Sequence, residues 1–239
     1  MSRRRIGSLV VCCALWCCAT ADLTAGDGRL SVIFKGNLIT RTELFTAPNS
    51  VDPIAREQSF ELTDFAGAGI EVVYTFPSLH LAVGLGIDYL RAVQPAPVRV
   101  LPSGIELPID DGYEAIPVEA TGYFVLPFSG NAFQVFIGGG VGVYFGRRAY
   151  SIAGMEAETL DRSRGMGIHV LGGLSYRITD RFFVQGEMKF RDLQFRTTNR
   201  FSVPRIPFGS TTVQVGQEPF ESRVQTDGIL FQLGLGVTF

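Results

Sequence analysis

In eight separate stretches of this 239-residue chain, apolar side chains recur at every second position. The clearest run sets Phe133, Val135, Ile137, Gly139, Val141, Val143 and Phe145 on one face. Gln134, Phe136, Gly138, Gly140, Gly142 and Tyr144 fall on the other. The same alternation runs through 30–39, 65–76, 79–89, 116–126, 166–178, 182–191 and 229–239. Period two means strand, with one face of each strand against something apolar. None of the eight apolar series contains a charged residue. Each stretch spans 9–13 residues, close to the ~9–11 that cross a bilayer as tilted strand. No internal apolar run reaches the ~20 residues of a membrane-spanning helix.

Two closed arrangements satisfy such a pattern. In a soluble, lipocalin-like barrel the apolar face points inward around a small ligand. In a membrane barrel it points outward to lipid. Glycine placement favours the second. The chain has 28 glycines. Those at 67, 69, 84, 86, 138, 140, 142, 165, 167, 173, 234 and 236 fall in the interleaved, polar series. The interior of an eight-stranded barrel is just wide enough for side chains, so small residues relieve crowding there. On a water-facing surface they would only weaken the strands. Charged residues are 18% of the chain, below the ~25% usual for soluble domains. The near-neutral net charge of −2 lacks the basic excess of a nucleic-acid binder.

The connections alternate in length. Residues 40–64, 92–112, 146–164 and 192–226 form long segments, while 77–78, 127–131 and 179–181 are short turns. Long loops on one side and short turns on the other match the extracellular and periplasmic ends of outer-membrane barrels. Val98–Leu101 and Ile105–Ile109 flank Pro102-Ser103-Gly104 and read as a hairpin within one loop. Phe201–Phe220 is a second apolar-dotted stretch, broken by Pro204, Pro207, Gly209 and Gly216.

The first 21 residues read as an export signal. Three arginines, Arg3–Arg5, precede an apolar run to Cys18, and Ala19-Thr20-Ala21 supplies the small-residue cleavage site. Cleavage between Ala21 and Asp22 leaves residues 22–239 as the barrel domain. It also removes all four cysteines and takes the net charge to −5, so neither a disulfide framework nor a cysteine metal site is expected. Bulky Val11 and Trp16 before Cys12 and Cys17 disfavour lipidation.

The last eight residues, Gln232-Leu233-Gly234-Leu235-Gly236-Val237-Thr238-Phe239, resemble the carboxy-terminal assembly signal of bacterial outer-membrane β-barrels. Gln232, Gly234, Val237 and Phe239 fill its fixed places. Ile116–Phe124 and Gly138–Phe145 are also similar to the small outer-membrane β-barrel domain family, which includes OmpA-, OmpX- and OmpW-like barrels. The resemblance implies an all-β, eight-stranded, antiparallel, up-and-down transmembrane β-barrel in the cell outer membrane. It also implies lipid contact, delivery by periplasmic chaperones and the barrel assembly machinery, and a monomer. No periplasmic domain follows the last strand, so peptidoglycan binding is not carried over.

Nothing in the chain points to catalysis, a cofactor or a metal. The two histidines, His80 and His169, both fall in the interleaved series. His169 lacks the serine two residues on that deacylase barrels carry, and two histidines on different strands make a weak metal site. The Gly-rich run Ile137–Gly142 has no following Lys-Ser/Thr and is not a phosphate loop. The interleaved series carries four cations (Lys35, Arg177, Lys189 and Arg191) against four carboxylates (Glu71, Asp88, Glu119 and Glu187). Counted from the short turns, Lys35, Glu71, Asp88, Glu119, Glu187, Lys189 and Arg191 share one central band. Buried charges must be paired, so the band is expected to plug the lumen. The reading is a structural or surface-interaction protein whose long loops carry a ligand site. The alternatives are a narrow OmpW-like channel for small or apolar solutes, a lipid-modifying barrel enzyme, and a soluble ligand-binding barrel.

Overall fold

The computed structural model describes residues 29–239 apart from 97, 101–104, 131, 163, 210 and 227. The export segment, with Ala19 and Ala21, and the Pro102-Ser103-Gly104 turn lie outside the described residues. In chain order come β1 (Arg29–Phe45), a one-turn helix α1 (Pro53–Arg56), β2 (Ser59–Phe76) and β3 (Leu81–Pro95). The short β4 (Val98–Val100) and β5 (Ile105–Leu107) precede β6 (Ile109–Val125) and β7 (Phe133–Ile152). Then follow β8 (Met155–Glu156), β9 (Glu158–Arg162), β10 (Arg164–Arg177) and β11 (Phe182–Arg200). The chain ends with β12 (Arg205–Phe208), β13 (Thr211–Gln214), β14 (Phe220–Thr226) and β15 (Ile229–Thr238). No described helix is long and apolar enough to cross a membrane.

Eight antiparallel walls close on themselves. Each of β1, β2, β3, β6, β7, β10 and β11 pairs with the next, and β14 and β15 together form the eighth wall between β11 and β1. β9 continues the line of β10 and pairs with β11. Closure pairs every one of the eight walls on both sides. The ladder between β1 and the eighth wall slips by one residue between Ile39↔Leu230 and Glu43↔Gln225. Thr40 spans the slip. Its Oγ1 donates to the Ile229 carbonyl at 3.1 Å and accepts from the Ile229 amide at 3.3 Å.

Around the lower barrel the apolar series faces outward, with Leu85, Val141, Ile168 and Leu233 all exposed. The interleaved series faces in. Eleven of its twelve glycines would place a Cβ within 3.0 Å of another atom. At Gly138, for example, it would lie 2.6 Å from the Gly122 carbonyl oxygen. The outward-facing Gly36, Gly122, Gly172 and Gly186 meet nothing closer than 3.8 Å. The interior glycines therefore make room for the backbone and side chains of the adjoining walls.

The walls reach further than the alternation predicts. β7 has 20 residues and β11 has 19, against the 13 and 10 expected. The segment 146–164, expected as a loop, is mostly wall. β7 runs to Ile152, turns at Ala153-Gly154 (φ 50° and 80°) and returns through β8 and β9. In this upper barrel the polarity of the faces inverts. Leu44, Leu62, Leu90, Tyr113, Leu193, Phe195 and Val224 point inward and are almost fully buried, whereas Arg41, Glu61, Arg91 and Arg196 point outward. A membrane barrel thus carries a second storey built like a water-soluble one.

Above this storey the long connections pack on one another. Leu107, Ile152, Ala157, Phe201 and Ile206 bury a shared apolar core. The hairpin expected around 98–109 is present as β4 paired with β5, and Phe201–Phe220 contains the β12–β13 hairpin. At the opposite end the turns are tight. Thr179 Oγ1 accepts the amides of Arg181 and Phe182 at 3.3 and 3.0 Å, and Ser129 Oγ accepts the Val135 amide at 2.9 Å.

Candidate functional site

The lumen is filled in layers. Nearest the short turns lies an apolar layer of Ile33, Val73, Ala82, Tyr123, Phe136 and Leu171. The upper storey supplies a second, larger one. Between them sit Lys35, Glu71, Asp88, Glu119, Glu187, Lys189 and Arg191, each at most 7% exposed. The Lys35 ammonium bridges Glu71 and Glu187, with the Glu187 oxygen 3.0 Å away. Glu119 is the hub. Lys189 reaches it at 3.0 Å and Arg191 Nε at 2.7 Å, and the Tyr144 hydroxyl donates to it at 2.8 Å. Arg191 also holds Asp88 at 2.7 Å. The Tyr123 hydroxyl donates to Glu71 at 2.5 Å, tying the cluster to the apolar layer below.

Every wall contributes to this level, because Tyr144, His169 and Gln232 project into it from β7, β10 and β15. Burying charge is costly unless each ion is met by counter-charge and hydrogen bonds. Tyrosine hydroxyls complete the shells of Glu71 and Glu119. They were not expected from the sequence, where Tyr123 and Tyr144 appear only as members of the interleaved face. Arg177 does not join the cluster. It ends β10 at the short-turn mouth. The cluster has three cations against four carboxylates, the seven residues that the count from the short turns grouped, with Arg177 outside it.

The histidines separate. His80 stands at the short-turn mouth, away from the ion cluster. It is exposed at the end of the Pro77–Leu79 turn with a left-handed φ of 55°, because Pro77 starts a tight turn that displaces the alternation. His169 is 2% exposed, with Nε2 hydrogen-bonded to Thr121 Oγ1 at 2.9 Å and Nδ1 4.0 Å from Glu119. Hydroxyl, imidazole and carboxylate stand in the order of a nucleophilic triad. Thr121 is only 4% exposed, however, and its carboxylate partner is held by Lys189 and Arg191. Among the described residues no group of His, Cys, Asp or Glu is placed to hold a metal.

A second buried pair lies in the upper storey. Arg148 makes a two-pronged contact with Asp111 at 2.8 and 2.5 Å and donates to Ser222 at 2.6 Å. Its guanidinium stacks over Tyr150 and Phe220. Arg148 belongs to a stretch expected as loop, so nothing in the sequence reading brought it to Asp111.

No protein-family model and no curated protein matches the sequence. Solved structures do. A major outer membrane protein from Thermus thermophilus superposes with a TM-score of 0.55 at 12% identity, over 90% of this chain and 100% of that one. The chain has the fold of the small outer-membrane β-barrels. Neisserial surface protein A (TM-score 0.48, 11% identity, 88% of this chain and 97% of that one) is also similar. So is Ail, the attachment invasion locus protein of Yersinia pestis (TM-score 0.47, 12% identity, 90% and 100%). The outward apolar belt of this barrel corresponds to the lipid-facing surface of that fold.

Proposed function

We propose that this barrel is a cell-surface scaffold. Its lumen is closed, and it presents its long connections outside the cell for structural contact or ligand interaction. The observation that carries the reading is the layered lumen. An ion cluster drawn from five of the eight walls lies between two apolar layers, and ions in a confined, low-dielectric interior hold one another in place. Planar-bilayer recording tests it. The wild-type protein is expected to give no steady single-channel conductance. Large, stable openings would replace this reading with the narrow-channel one.

The orientation follows from the asymmetry of the connections. Because the cysteines all precede residue 19, single probes report cleanly once the export segment is cleaved at Ala19-Thr20-Ala21. Gly216→Cys, in the loop between β13 and β14, is expected to react with a membrane-impermeant thiol reagent on whole cells. Ser78→Cys, in the first short turn, is expected not to react; the reverse result inverts the barrel. The carboxy-terminal residues Gln232, Gly234, Val237 and Phe239 act in this reading as the signal read by the assembly machinery. Phe239 is only half-buried, and its amide donates to the Leu30 carbonyl at 2.8 Å. Deleting Phe239 is expected to lower the yield of assembled barrel severalfold, and unchanged yield would remove the assembly-signal role.

A further inference from the structure

Below the ion cluster, the short-turn end of the lumen is hollow. A cavity of about 410 Å³ opens at the mouth between the turns. It is blind, because Tyr123 and Phe136, packed edge-to-face at 5.7 Å, form its ceiling and the Tyr123 hydroxyl is already committed to Glu71. The walls are chemically divided. On one side Gln134, Ser175 and Gln185 stand in register on three neighbouring strands, β7, β10 and β11. All three line the cavity. None of the three side chains has a hydrogen-bond partner among the described residues. Gln185 is only 7% exposed, and its amide opens on the cavity, free to bond a guest. On the other side Ile33, Val73, Ala82 and Val125 make an apolar patch, with Ser31 and Thr75 nearer the mouth. The rings of Phe136 and Phe183 lie against Gly173 and Gly236, where any Cβ would collide with them. At the lip stand Arg29 and Arg177, against one carboxylate, Asp180. Neither arginine is in an ion pair among the described residues.

We propose that this vestibule is a binding site for a small amphipathic anion. The ligand has a compact ring or short-chain body against the apolar side and a hydroxyl or amide edge on the Gln134–Ser175–Gln185 row. Its acidic group lies at the mouth beside Arg177 and Arg29. The division of the walls fixes the class. A purely apolar guest would leave the amide row unsatisfied, and a small inorganic anion would leave the apolar patch empty. The site is separate from the surface role and from the sealed lumen, since nothing bound here passes Tyr123.

The test uses the folded barrel in lipid nanodiscs, titrated calorimetrically with 6-hydroxynaphthalene-2-sulfonate against empty nanodiscs. One molecule per barrel is expected, with a Kd of roughly 1 mM or tighter for a ligand of this size. Arg177→Ala and Gln185→Leu are each expected to weaken binding roughly tenfold. Uncharged 2-naphthol should lose affinity to a similar degree on wild type. Ser175→Phe, which fills the vestibule, should abolish binding. Arg177 lies at the mouth, so its variant folds irrespective of how the interior variants fare, and heat-dependent gel mobility verifies each. No saturable heat above empty nanodiscs overturns the proposal. Binding that neither Arg177→Ala nor Gln185→Leu weakens overturns it equally.

Discussion

Glu119→Ala is expected to destabilise the barrel by roughly 3–5 kcal/mol, the range for removing one partner of a buried ion pair. Glu119 receives Lys189, Arg191 and the Tyr144 hydroxyl, and it is 4% exposed. Without it Lys189 loses its carboxylate, while Arg191 keeps only Asp88. The cost is therefore mainly that of a buried cation without a counter-ion, and only secondarily that of the lost contacts. Glu187→Ala should cost less, because Lys35 retains Glu71. Urea-induced unfolding in lipid vesicles, followed by heat-dependent gel mobility, measures both. A loss below about 1 kcal/mol for Glu119→Ala would mean that water reaches the cluster and that the lumen is not dry.

Val141→Arg should cost roughly 2–4 kcal/mol if its position is near the bilayer midplane. Val141 points outward from β7 and is 59% exposed along the belt. The same strand carries a natural control. Arg147 also faces outward, six residues on, and is paired at 2.7 Å with Glu114 on β6. Arginine on this face is thus acceptable above the belt and not within it. Moving the substitution one residue, to Gly140, should also be damaging, but by collision. A Cβ there would strike the Ala120 carbonyl, so Gly140→Val is expected to be poorly tolerated although it adds no charge. If Val141→Arg unfolds at the wild-type urea concentration, the belt does not face hydrocarbon.

The alternation made the lower barrel legible because facing in a strand is a local property. Whether Phe145 or Tyr144 points to lipid is settled by its neighbours two residues away. Three features were not local in that sense. The upper storey uses the same period with the opposite sense, so Leu44 and Leu62, set among Arg41, Glu43 and Glu61, read as loop residues. The expected loop 146–164 hid the turn at Ala153-Gly154 for the same reason. Partner choice inside the lumen depends on the stagger of distant walls. Lys189 meets Glu119 across the barrel, and Arg191 meets Asp88 from a wall that does not adjoin it. Facing alone puts Arg177 in the same series as these residues; the count from the short turns leaves it out of the band, and it stands at the mouth. His80 shows how a turn overrides the pattern, since the alternation continues through it while the Pro77 turn places it outside the strand.

The upper storey also sets a stand-off. Between Phe145, the last outward apolar residue of β7, and the turn at Ala153 the wall climbs seven more residues. At ~3.3 Å per residue and a tilt near 40°, that lifts the connections about 18 Å clear of the hydrocarbon boundary. The rise is a stiff column with its own buried filling, held at its top by Arg148 and Asp111. A partner approaching the connections therefore meets them beyond the reach of the lipid headgroups. Removing matched pairs of residues from adjoining walls would lower that platform in steps of known height without altering the face it presents.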